Sequence, residues 1–183
     1  MRKKPTILKI ETIASTRLFN IQSMDLQFSN GVKRQYERLK PPNASKGAVL
    51  VIPMLDNDTV LMIYEYSGGT ERYELALPKG KIDNNETYIE AANRELMEEV
   101  GYGANKITFL KTMTLAPGYQ SSTTHILLAE DLYVASSEGD EPEPLEVVEH
   151  KLSNLDSLVY NDDLTESRSI AALYMAKEIL NNR

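Results

Sequence analysis

The sequence has no cysteine, only two histidines in 183 residues and no apolar run near the ~18 residues that cross a bilayer. The missing cysteine excludes a disulfide framework, a zinc knuckle, an iron-sulfur cluster and thiol catalysis, and it fits a reducing compartment. The cytoplasm is the expected location. Two isolated histidines, His125 and His150, do not make a transition-metal site and read as sheet residues. Positive charge is in deficit, with 20 Lys and Arg against 27 Asp and Glu, a net charge of -7. A surface of that sign is not built to neutralise phosphate backbones, so no nucleic-acid partner is expected. The basic start, Met1-Arg2-Lys3-Lys4-Pro5, leads into no apolar signal core or small-residue cleavage site, so no membrane partner is expected either.

What is present is enough apolar residue, 42%, for a sizeable core. Residues 6–40 alternate polar and apolar side chains, and Asn30-Gly31 lies between two such runs, the signal of an antiparallel strand meander with a tight turn. Pro41 to Gly47 is rich in breakers and reads as a linker, so the main domain is expected over 46–183, after an N-terminal segment 1–45. Ala48–Met54 is a short, continuous apolar run of the kind buried on both faces. Strands are expected over Thr59–Tyr66, Tyr73–Leu77, Ile107–Leu115 and Thr124–Leu132, a short helix over Ser153–Ser157 and a longer one over Leu164–Leu180. The acidic stretch Ser137–Pro144 contains two prolines and reads as a loop. The fold class is α+β with a mixed sheet.

The chemistry concentrates between Gly80 and Tyr102. Thr87 with Glu90 three residues on is a capping box, and Gly101 supplies a stop that tolerates a left-handed backbone, so a helix is expected between them. At roughly 100° per residue, Ile89, Ala92, Leu96 and Val100 share a stripe expected to face the core, while Glu95, Glu98 and Glu99 fall within roughly 100° of arc on another. An isolated Glu-rich face is ordinarily a solvated surface. Arg94, Glu86 and the flanking glycines weigh against that here, because clustered carboxylates beside a glycine turn offer the oxygen ligands that hard divalent cations take.

At these residues the sequence resembles the Nudix hydrolase family. Gly80, Glu86, Arg94, Glu95, Leu96, Glu98, Glu99 and Gly101 match its signature at full spacing, with Tyr102 in the last aliphatic slot. Tyr36-Glu37-Arg38, Tyr73-Glu74-Leu75, Ala116-Pro117-Gly118-Tyr119 and the Glu141/Glu143 loop are similar to the ADP-ribose and ADP-sugar pyrophosphatase branch. The resemblance implies a Nudix α/β/α sandwich preceded by the N-terminal meander. It implies a Mg²⁺-dependent pyrophosphohydrolase, with Mn²⁺ as a substitute ion, acting on ADP-ribose, NADH or diadenosine polyphosphates and releasing AMP. It further implies Glu95, Glu98, Glu99, Glu143 and the Lys79 carbonyl as metal ligands, Glu98 and Arg94 within the catalytic cluster, and Glu141 as general base, with Glu138 and Glu143 in competition. Arg94 would orient the glutamates, with Glu86 as its acidic partner or an outer metal contact. Arg38, Arg72, Pro117 and Tyr119 are the substrate-binding candidates, with Tyr66 and Tyr73 as further aromatic surfaces. A homodimer built through residues 1–45 is also implied. Two other readings stay open: a non-catalytic ADP-ribose sensor, although such sensors lose carboxylates that this chain retains, and a Nudix hydrolase of another nucleotide sugar.

Overall fold

The computed structural model describes residues 3–41 and 46–183. Residues 42–45 of the expected linker, with the domain boundary placed at their end, and the first two residues of the basic start lie outside the described residues. The chain forms two compact units, Met1–Ser45 with Thr114–Thr123, and Lys46–Met113 with Thr124–Arg183.

In the first unit, β1 (Thr6–Ser15), β2 (Asn20–Gln27) and β3 (Lys33–Lys40) form an antiparallel sheet in sequence order. The β2–β3 turn is made where Asn30-Gly31 predicts it. Gly31 adopts φ +82°, Asn30 Oδ1 accepts the Val32 amide at 3.1 Å, and the Phe28 amide donates to Val32 O at 2.9 Å. The turn at Ala116–Gln120 is stitched to β3, since Leu39 N–H donates to Tyr119 O at 2.7 Å and Ser121 N–H to Leu39 O at 3.3 Å. Among the described residues β1 pairs through one edge only, and every one of its residues is exposed, including Ile7, Leu8, Ile10 and Ile13.

The second unit contains two sheets. One takes β4 (Ala48–Pro53), β7 (Lys79–Lys81), β8 (Tyr102–Thr114) and β9 (Thr123–Val134) in the order β7-β4-β9-β8, with β4 parallel to β9 and antiparallel to β7. The other is antiparallel, β10 (Glu146–Lys151), β5 (Thr59–Ser67) and β6 (Arg72–Ala76) in the order β10-β5-β6. Helices α1 (Tyr88–Glu99), α2 (Leu155–Leu158, after a 3-10 turn) and α3 (Ser167–Asn181) complete it.

The period of two along β4 sorts its side chains onto two cores. Val49 and Val51 join Ala91, Ala92, Leu96 and Val100 of the α1 side, while Leu50 and Ile52, with Met54 just past the strand, join Leu155, Ala172, Leu173 and Ala176 of the α2/α3 side. A strand covered on both faces must be apolar throughout, which is why this segment does not alternate. The mixed sheet between two helical layers, and the N-terminal meander, are the expected α+β architecture. Among the described residues no helix is long and apolar enough to cross a membrane.

Three local expectations change. Ile89 is 44% exposed, while Ala91, Glu95 and Glu99 are buried, so α1 turns part of its carboxylate face inward and leaves Ile89, in its first turn, outside the packed arc. The longer helix starts at Ser167 rather than Leu164, because the Glu166 carboxylate caps it by accepting the amides of Arg168 and Ser169 at 3.2 and 2.8 Å. Gly80, expected in a turn before the helix, lies instead in the edge strand β7 (Lys79–Lys81), formed by backbone pairing that its side chains do not advertise.

Candidate active site

Helix α1 begins where its capping box puts it. Thr87 Oγ1 accepts the Glu90 amide at 3.2 Å, and Glu90 Oε2 accepts the Thr87 amide at 2.8 Å. Gly101 leaves the far end at φ +78°. Between these ends the helix delivers Arg94, Glu95, Glu98 and Glu99 to one cleft.

Arg94 is the hub. Its Nε and Nη2 donate to Glu86 Oε1 and Oε2 at 2.7 and 3.1 Å, a two-pronged grip across the loop. Its Nη1 donates to Glu95 Oε1 at 2.8 Å and Glu98 Oε2 at 2.9 Å, and its Nη2 also reaches Lys81 O at 2.9 Å. Glu86 is itself fixed by the Asp83 amide at 3.1 Å, and the Arg94 fork holds its carboxyl below the usual carboxylate range. Asn93, unremarked in the sequence, anchors the other flank of the helix by accepting the Ala104 amide at 2.8 Å.

Gly80 has a steric reason. A Cβ there would lie 1.9 Å from Glu95 Oε1 and 2.0 Å from its Cδ, so any side chain evicts the carboxylate. Glu95 and Glu99 are each 7% exposed. Burial pushes the Glu95 carboxyl up, and pushes the Glu99 carboxyl up to about 8. Glu99 Oε2 accepts the Lys79 amide of β7 at 3.0 Å.

The acidic loop is docked on the same helix. Ser137 N–H donates to Met97 O at 3.1 Å, Ala135 N–H donates to Gly101 O at 3.2 Å, and a Cβ at Gly139 would sit 3.3 Å from Glu98 Cβ. This brings Glu138, Asp140 and Glu141 to a cleft of about 700 Å³ that Lys79, Arg94, Glu95, Glu98 and Glu99 also line. Seven carboxylates face three cations there. Burial pushes the Glu141 carboxyl up as well.

The donor set suits a hard divalent cation, since every candidate ligand is an oxygen and burial disfavours these anions without added positive charge. Arg94 spends one oxygen each of Glu95 and Glu98 and leaves the other. As the side chains stand, no three acidic or histidine groups among the described residues converge on one point.

Other candidates lie elsewhere. Glu143 accepts the Tyr73 hydroxyl and lines a separate pocket of about 370 Å³ with Tyr64 and Asp163. Tyr66 and Tyr73, neighbours across β5 and β6, meet edge to face at 5.6 Å. Arg72 is engaged by Glu74 at 2.9 and 3.3 Å and by Thr165 at 2.9 Å. Arg38, Pro117 and Tyr119 belong to the first unit, where Arg38 Nε donates to Gln22 Oε1 at 3.0 Å and the Pro117–Tyr119 turn is bonded to the neighbouring Leu39. His125 in β9 stacks on Tyr88 at 5.6 Å and pairs with Thr112 at 3.0 Å, and His150 stands in β10.

The sequence reading missed Glu65, which pairs closely with the Lys79 ammonium and whose charge helps push up both Glu99 and Glu141. Its signal was available, since Leu61 and Ile63 alternate onto the α1 face and the next position in that series is an acid.

Residues 44–173 match the NUDIX domain, and residues 5–38 match the NudE-type Nudix hydrolase N-terminal domain. The chain is 51% identical to the ADP compounds hydrolase NudE of Escherichia coli (strain K12) over 97% of its own length and 94% of that protein's. It is 31% identical to an ADP-ribose pyrophosphatase of Bacillus subtilis (strain 168) over 93% and 91% of the two chains. A crystal structure of an ADP compounds hydrolase superposes with a TM-score of 0.92 at 49% identity, covering 100% of this chain and 97% of the other.

Proposed function

We propose, from the premise that this chain belongs to the Nudix hydrolase family, that it is a divalent-metal-dependent pyrophosphohydrolase of ADP-containing compounds. ADP-ribose, NADH and diadenosine polyphosphates are the candidate substrates, cut to AMP and a second phosphorylated product. The observation that carries this reading is the Arg94-centred glutamate cluster, with Glu95 and Glu99 buried at the wall of an acidic cleft.

Glu95, Glu98, Glu99 and the Lys79 carbonyl would hold Mg²⁺, or Mn²⁺ in its place, with Glu143 joining them only by leaving Tyr73. The bound ion supplies charge against the nonbridging phosphate oxygens and a water of lowered pKa. Arg94 keeps Glu86, Glu95 and Glu98 aligned, a preorganisation that costs nothing at the moment of reaction. Glu141, in the same cleft, takes the proton of the attacking water as its oxygen bonds to phosphorus and the diphosphate bridge breaks. Burial raises the Glu141 carboxyl above its ordinary value, which makes it a stronger base. Glu138, also in the cleft, is the alternative base. Arg38, Arg72, Pro117 and Tyr119 are the proposed substrate contacts.

A homodimer formed through residues 1–45 is supported by β1, whose ten residues, several of them apolar, are all exposed in the single chain. Light scattering at the mass of two chains is the expected result. The absence of cysteine supports a cytoplasmic setting. The functional test is initial rate on the three compound types with Mg²⁺, with Mn²⁺ and with chelator. Rates that survive chelation would overturn the reading.

A further inference from the structure

Strand β7 touches both buried glutamates of α1. The Lys79 amide donates to Glu99 Oε2 at 3.0 Å, and the Gly80 backbone lies so close to Glu95 that a Cβ would fall 1.9 Å from its Oε1. Where this strand sits therefore sets where two of the proposed metal ligands rest. β7 is short, three residues held to β4 by the pairs Ala48↔Lys81, Val49↔Gly80 and Leu50↔Lys79. The link Leu77-Pro78, which brings the chain from β6 into β7, supplies its other anchorage. Pro78 has no amide to donate, and its carbonyl accepts the Val51 amide of β4 at 2.9 Å. The link's single N–H, that of the wholly buried Leu77, donates to Ser169 Oγ of α3 at 3.0 Å, across 92 positions of sequence.

Packing alone does not ask for a serine there. The inward stripe of α3 at i, i+3, i+4 and i+7 is Ser169, Ala172, Leu173 and Ala176, and Ser169 is its one polar member, with no exposed surface. Its hydroxyl is not needed to cap the helix, since Glu166 already accepts the Arg168 and Ser169 amides at 3.2 and 2.8 Å. An amide can only donate, so Ser169 Oγ accepts from Leu77, and its own proton goes to Glu166 Oε2 at 2.8 Å. Glu166 is held in turn by Arg168 Nε at 2.8 Å, and Arg168 Nη1 donates to Thr124 Oγ1 of β9 at 3.1 Å. Each group in this chain is fixed by the next, and its last member is the link into β7. We propose that Ser169 is a positioning residue for the active site: through the Leu77 amide it sets the seat of β7, and with it the Lys79 carbonyl and the Gly80 surface against which Glu95 rests. Removing the hydroxyl leaves the Leu77 N–H buried without its acceptor, and the link must shift to find another.

This inference rests on the hydrolase reading above, and the test separates the two. Mn²⁺ alone is titrated onto wild type, Ser169→Ala, Ser169→Thr and Leu173→Ala, with the free ion followed by electron paramagnetic resonance. Thermal melts and wild-type ADP-ribose turnover serve as controls. Leu173→Ala is the packing control, a truncation on the same face of α3 that leaves the Ser169–Leu77 bond in place. Ser169→Ala is expected to weaken Mn²⁺ binding by about tenfold, and Leu173→Ala to change it by less than about twofold. Ser169→Thr, which keeps the hydroxyl, should recover most of the loss. If Ser169→Ala does not fold, Ser169→Cys, whose sulfur is a weak acceptor in nearly the same volume, replaces it under the same thresholds. Mn²⁺ affinity within about twofold of wild type, or a loss that Leu173→Ala matches, overturns the inference alone. Wild-type protein that neither binds Mn²⁺ nor turns over ADP-ribose overturns the hydrolase reading and this inference with it.

Discussion

Helices α1 and α3 pack against opposite faces of the same strand, β4, and they bury opposite kinds of residue. α3 turns Ala172, Leu173 and Ala176 inward together with one polar group, Ser169, whose hydroxyl donates to Glu166 at 2.8 Å and accepts the Leu77 amide at 3.0 Å. That helix meets the ordinary rule that buried polar atoms are paired. α1 buries Ala91, Ala92 and Leu96 with two carboxylates, and burial pushes both carboxyls up. One face of the sheet is organised for stability. The other accepts an electrostatic cost, which is the usual signature of a functional site.

The sharpest way to break this comparison is to change one glutamate of α1 and one leucine of α3. Glu98→Gln is expected to lower kcat by about 10³-fold while leaving the melting transition near wild type, as read by steady-state kinetics and circular dichroism. Leu173→Ala should do the reverse, costing about 2–4 kcal/mol of stability in denaturant titration with little change in kcat of the folded enzyme.

The burial of Glu99 gives a pH dependence of comparable size. Its folded value, about 8, lies above the unfolded one, so its contribution is fully present below about pH 4.5 and is lost as pH rises through about 8. Metal-free protein should therefore melt at a lower temperature at pH 9 than at pH 6. Glu99→Gln should flatten that slope, since the amide oxygen still accepts the Lys79 N–H, and an unchanged slope would refute the assignment. Gly80→Ala should cost about 1–3 kcal/mol and activity together, because the added methyl overlaps the Glu95 carboxylate. The smallest effect belongs to Thr87→Ala, about 1 kcal/mol of stability through loss of the α1 cap, with kcat retained.

Much of α1 is legible in the sequence. The Thr87/Glu90 box, the helical spacing of Ala92 and Leu96 and the Gly101 stop are encoded within a few residues of where they act. The inward turn of Glu95 and Glu99 is not, because periodicity fixes which residues share a face but not which face meets the sheet. Ile89 falls on the expected core stripe for the same reason and is exposed. β7 has no side-chain signal, since Lys79, Gly80 and Lys81 join an edge through backbone bonds to β4. Arg72 illustrates the other limit. A guanidinium that looks available in a sequence is held here by Glu74 and Thr165, and Thr165 is 93 residues away.

By itself the sequence determined the identity and order of the chemical groups, the helix that bears the glutamates, the turn at Asn30-Gly31 and the doubly covered strand β4. Each of these follows from hydrogen bonds or hydrophobic periodicity within a short window. Only the tertiary structure decided that Glu65 confronts Lys79, that Gly139 rests on Glu98 and so brings Glu141 to the cleft, and that Gly80 must lack a side chain to seat Glu95. Those relations depend on how separate strands, a loop and a helix close around one volume, and the charges within it acquire their energies only once that closure has removed water.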